Sequence, residues 1–130
     1  MPTLAACPDF PTAAFTWAGG GVFAIAGSSE IHLNGDPTAD TAARARSWAS
    51  CLEAAAAVAH NPDQAVPLGL PAPDEVCRDL AGHLVALWED AEISARSGYV
   101  VIAGQRYAVA DAQRFAWCLL TAAGVADDAA

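Results

Sequence analysis

A chain of 130 residues has the length of one compact domain, although alanine, about a quarter of all residues, inflates its 55% hydrophobic fraction. Fifteen acids stand against six arginines with no lysine, and the net charge of −9 repels phosphate backbones and anionic lipid surfaces. Nucleic-acid and membrane partners are therefore not expected, and charged residues at 16% are too sparse for a disordered chain.

Near the start, Leu4-Ala5-Ala6-Cys7 has the form of a lipoprotein cleavage box. Such a box follows a basic segment and an apolar segment of about 7–15 residues, whereas Met1-Pro2-Thr3 precede this one, so lipidation is not expected. The uncharged run Pro11–Ser29 has the length of a membrane helix, but Gly19-Gly20-Gly21 interrupts it. It reads as two short strands, Phe15–Ala18 and Val22–Ala26, and the expectation is a soluble, cytoplasmic protein. Gly27-Ser28-Ser29 then turns the chain into a strand at Glu30–Leu33. There Ile31 and Leu33 face one side and Glu30 and His32 the other.

A helix is expected over Thr41–Ala59, capped by Asp40 and ended by Asn61-Pro62. Its apolar stripe is Ala45, Trp48, Cys51, Leu52, Ala55, Val58 and Ala59. The connector 61–73 carries Pro62, Pro67, Pro71 and Pro73 and cannot be regular structure. A middle helix over Asp74–Asp90 follows in this reading, burying Cys77, Leu80, Ala81, Leu84, Leu87 and Trp88. Strands at Glu92–Ala95, Tyr99–Ala103 and Tyr107–Val109 alternate with turns at Gly98 and Gly104. The last helix starts near Asp111 and buries Ala112, Phe115, Ala116, Leu119, Ala122, Ala123 and Ala126.

The two ends of the chain resemble each other. Gly21-Val22-Phe23-Ala24-Ile25-Ala26-Gly27 and Gly98-Tyr99-Val100-Val101-Ile102-Ala103-Gly104 share four identities, including both glycines. The helical blocks Ser47–Ala59 and Arg114–Ala126 match at seven of thirteen positions; four of those are alanine, leaving Cys, Leu and Val to carry the likeness. The expected fold is a single α+β domain over 1–130. One antiparallel sheet, or two, would arise from a duplicated strand–strand–strand–helix unit (residues 14–59 and 91–126), with the middle helix added.

Local signatures of chemistry are few. Gly19-Gly20-Gly21 lacks the Lys-Ser/Thr and helix start of a phosphate loop, and neither G-x-S-x-G nor H-E-x-x-H occurs. Cys7, Cys51, Cys77 and Cys118 form no C-x-x-C pair, so free, mostly buried thiols are expected. His32, His60 and His83 stand singly, His60 at a helix end and His83 one turn after Asp79. Glu30 and His32 share a strand face, as an acid–base pair would, but surface strands do this without catalysis. No catalytic residue, metal site or cofactor is assigned.

One feature resists assignment to the core. In the last helix Trp117 and Leu120 share a second face with Gln113 and Gly124, where the first helix has Ser50 and Glu53 in place of the two apolar residues. A helix apolar on two sides is either sandwiched in the core or offered to a partner. These four residues are the candidate protein interface, toward a second copy or another protein. The segment from Tyr99 to Ala126 resembles the strand–Gly–strand–alanine-rich helix ending of many short actinobacterial and actinophage proteins, a likeness that implies no activity. Three function classes follow. The leading one is a non-catalytic interaction or self-association module, such as an accessory subunit of a larger assembly like a phage particle. The others are an acidic inhibitor or immunity-type protein for a basic target, and a small enzyme or ligand-binding domain.

Overall fold

The computed structural model describes residues 13–33, 39–63 and 69–127. Nine strands and two helices are formed among them: β1 (Ala13–Trp17), β2 (Gly20–Ala24), β3 (Glu30–Leu33), β4 (Ala39–Thr41), α1 (Ala42–His60), β5 (Glu75–Arg78), β6 (Leu84–Trp88), β7 (Ile93–Arg96), β8 (Tyr99–Ile102), β9 (Gln105–Ala108) and α2 (Val109–Asp127). The strands make two sheets, in the orders β1-β2-β3-β4 and β5-β6-β7-β8-β9, with every pairing antiparallel. The fold class is therefore α+β, as the hairpin-rich sequence implies.

The described chain divides into two compact units. One holds the residues up to Ala49 and those from Trp117 onward; the other holds Ser50–Ala116. Each helix contributes one segment to each unit.

In the first unit, Val22, Ala24 and Ile31 from the sheet are buried, as are Ala42, Ala45 and Ala49 of α1 and Cys118, Leu119, Ala122, Ala123 and Ala126 of α2. The small alanines let backbone approach backbone where larger side chains would hold the elements apart. Thr41 caps α1, its Oγ1 accepting from the Arg44 N–H at 3.1 Å, in the role the sequence suggested for Asp40. Ser29, in the β2–β3 turn at φ 60°, satisfies both helices: its carbonyl accepts from Ala42 N–H at 3.0 Å and its N–H donates to Ala126 O at 2.9 Å. Helix ends leave such groups without intrahelical partners.

In the second unit, Leu84, Ala86, Trp88, Ile93, Ala95 and Val100 form the buried sheet face, and Leu52, Ala55 and Val58 of α1 and Ala112, Phe115 and Ala116 of α2 are buried as well. The described ends of the connector accept hydrogen bonds on their carbonyls: Leu84 N–H donates to Pro62 O at 2.8 Å and Trp88 Nε1–H to Pro71 O at 3.0 Å. Gly98, at φ 86°, directs its N–H to Ala59 O near the end of α1 at 2.9 Å.

The middle helix expected over Asp74–Asp90 is not there. β5 and β6 pair across this segment in the register Glu75↔Leu87 to Arg78↔Leu84. The turn between them is built by Asp79, whose Oδ1 accepts from the N–H groups of Ala81 and His83, both at 2.9 Å, and by Gly82 at φ 85°. Leu80 and Cys77, assigned to a helical core stripe, are exposed instead.

Both segments singled out by the internal likeness are strands followed by turns. Their connections differ: Ile25–Ser29 joins β2 to β3, whereas Ala103-Gly104 alone joins β8 to β9, and β4 precedes α1 without a counterpart before α2. This common order of elements does not show descent from one duplicated unit, because hairpins followed by a helix arise independently. Gly35-Asp36-Pro37, where a duplication would need a longer strand-to-helix connection in its first copy, lie outside the described residues, as does Cys7.

Candidate interaction surfaces

Helix α2 buries all seven residues of its expected stripe, so its opposite side is turned outward. Gln113, Trp117, Leu120 and Gly124 follow one another at spacings of four, three and four, which places them on one strip of helix, and all four are exposed. Gln113 belongs to the α2 segment of the second unit and the other three to that of the first. Trp117 is 46% exposed and Leu120 40%.

Trp117 is not isolated. Its ring meets that of Phe15 edge-on, with centroids 5.3 Å apart at 87°, a favoured aromatic geometry. Phe15 lies on β1, an edge strand, opposite buried Val22. The neighbouring Cys118 fastens the same place, its Sγ–H directed at Thr16 O at 3.6 Å. Trp117 thus extends the first unit's core past its sheet edge and still presents about half its surface to solvent. Gly124 leaves the strip bare at its end: a Cβ there would stand in open space, with nothing within 4 Å.

The sequence reading missed a second surface, because it took β5 and β6 for a helix. The five-stranded sheet buries alternate residues, and register lines up the others on its open side. One row crosses it as Glu75, Leu87, Ser94, Val101 and Arg106. A second row runs beside it through Cys77, Val85, Tyr99 and Ala108, with Arg96 between Val85 and Tyr99. Val85, Leu87, Ser94, Tyr99 and Val101 are partly exposed, and both arginines are exposed. The Arg106 guanidinium stacks on the Tyr99 ring at 4.1 Å, which holds the charge against the face. Toward β5 the surface dips into an open groove of about 720 Å³ lined by Asp74, Glu75, Cys77, Leu87, Ser94 and Arg96.

Among the described residues no three His, Cys, Asp or Glu side chains gather as metal ligands. Glu30 is exposed on β3, and His32 has a buried Nδ1 without a hydrogen-bond partner among the described residues. His60 ends α1, while His83 sits in the β5–β6 turn with Nδ1 3.2 Å from Asp63 Oδ1. Cys51, Cys77 and Cys118 are free thiols, half-buried, exposed and buried in turn. Burial pushes the Cys51 thiol up from its ordinary range, and the Asp74 carboxylate adds to that effect. No protein-family model, curated protein or solved structure matches the chain.

Proposed function

We propose that this chain is a non-catalytic protein-interaction module that engages its partner, a second copy or another protein, through the α2 strip of Trp117, Leu120 and Gly124. One observation carries the reading: two large apolar side chains stay about half exposed on a helix whose other side already buries a full stripe. Fully burying such a side chain is worth roughly 1.5–3 kcal/mol, so covering the exposed halves leaves about 1 kcal/mol each for association. Tryptophan is enriched where a few residues dominate binding, and Phe15 holds this one in a fixed orientation.

The test is the double variant Trp117→Ala, Leu120→Ser. It is expected to lower the solution mass, or to abolish capture of a defined partner, while circular dichroism remains that of the folded chain. Unfolding of the double variant would instead assign the pair to the monomer's own core through Phe15. A folded variant with unchanged association would remove the proposal.

A further inference from the structure

The open side of the five-stranded sheet carries a charge pattern that is complementary to its own reverse. Read from β5 to β9, the row is acidic, apolar, neutral, apolar, basic: Glu75, Leu87, Ser94, Val101, Arg106. A two-fold axis running parallel to the strands and passing beneath Ser94 of the central strand reverses that order. Each Glu75 then faces Arg106 of a second copy, each Leu87 faces Val101, and Ser94 faces itself. In the adjacent row, Cys77 meets Ala108 and Val85 meets Tyr99. We propose that this face is a self-association surface on which two copies pack sheet to sheet.

Three observations support a second copy as the occupant. Among the described residues of the second unit nothing covers the face: its apolar residues are partly exposed and its ends exposed. The two charges of the row through Ser94 lie at opposite edges, Glu75 on β5 and Arg106 on β9, which favours the reversed register over one that sets like charges face to face. Arg106 is already oriented by stacking on Tyr99 at 4.1 Å, so less side-chain freedom is lost when it pairs.

The same axis sets Arg96 opposite its own copy, a like-charge contact at the end of β7. A face five strands wide also buries less than the roughly 800 Å² per partner of a standard interface. The dimer is therefore weak and concentration-dependent. This surface lies in the second unit and is independent of Trp117.

Sedimentation equilibrium at low ionic strength over a wide range of protein concentration tests the proposal. Wild type is expected to associate reversibly by this face, and Glu75→Arg or Arg106→Glu, each setting like charges face to face twice, is expected to lose that association and, with Trp117→Ala and Leu120→Ser added, to stay monomeric. An equimolar mixture of the two variants restores both contacts in a heterodimer, so mass should return on mixing. Arg96→Ser should tighten the sheet-to-sheet dimer several-fold, and Trp117→Ala with Leu120→Ser should leave this step in place while removing any association through α2. Should Arg106→Glu lose its fold with the Tyr99 stack, Ser94→Glu, which sets two carboxylates on the axis, is the second monomeric variant. A wild type that stays monomeric throughout, folded variants that dimerise like wild type, or a mixture that fails to re-form a dimer would each overturn the proposal.

Discussion

The three described thiols occupy three environments and should react in that order. Cys77 projects from an edge strand and is exposed, Cys51 is half-buried, and Cys118 is buried with its Sγ–H on Thr16 O. The thiolate is the reactive form, and burial with the Asp74 carboxylate nearby holds Cys51 protonated beyond the usual thiol range. Native alkylation at neutral pH, followed by peptide mass mapping, is expected to label Cys77 first, Cys51 more slowly and Cys118 last. A raised thiol value means that the unfolded chain loses the Cys51 proton first as pH rises. Stability conferred by this group is thus full below the ordinary value of 9.0 and declines above it. Cys51→Ser should flatten that alkaline decline. Labelling of Cys118 ahead of Cys77 would contradict the placement of α2 against β1.

At the scale of elements, the β8–β9 hairpin is joined by Ala103 at φ 50° and Gly104 at φ 82°. A two-residue turn with both angles positive matches the twist of its strands, and asparagine followed by glycine suits it best. Alanine has no local hydrogen bond to offset the left-handed conformation. Ala103→Asn is therefore expected to raise stability by about 0.5–1 kcal/mol in urea unfolding, with the slope unchanged. The β5–β6 hairpin shows why such an element escapes a sequence reading. Leu84, Leu87 and Trp88 fall at helical spacing, but Leu84, Ala86 and Trp88, which alternate, are the buried set. Both periods fit a short apolar run, and the deciding signal was the turn: aspartate at its start and glycine at a left-handed position, Asp79 and Gly82.

For the whole molecule, charge is the dominant unbalanced quantity. Fifteen acids against six arginines leave mutual repulsion that opposes compaction. Ion pairs between described side chains offset little of it: Arg46 pairs with Asp127, and both are substantially exposed, where such pairs contribute about 0–1 kcal/mol. Thermal unfolding at neutral pH is thus expected to shift upward as sodium chloride rises from low to moderate concentration. An unfolding temperature that falls with salt would show that local pairing, rather than net repulsion, governs the electrostatics.

The sequence alone determined what is periodic or locally punctuated. The α2 stripe from Ala112 to Ala126 is buried at every expected position, α1 ends where Asn61-Pro62 follows, and Glu30–Leu33 is the strand it was read to be. Hydrophobic period and turn chemistry act over a few residues, so a single chain displays them directly. Tertiary structure decided whatever depends on register or distant pairing. Phe15 and Trp117 meet although most of the chain separates them, and Ser29 joins the start of one helix to the end of the other. The row from Glu75 to Arg106 exists because hydrogen bonds between five successive strands align one residue from each. A shift of one residue in any pairing would send that strand's side chains to the opposite face, and the sequence states no register. The two helices that form were therefore legible, whereas β5 and β6 carried a pattern that also suits a helix, and the surfaces on which the proposed associations depend were set by cross-strand alignment and long-range packing.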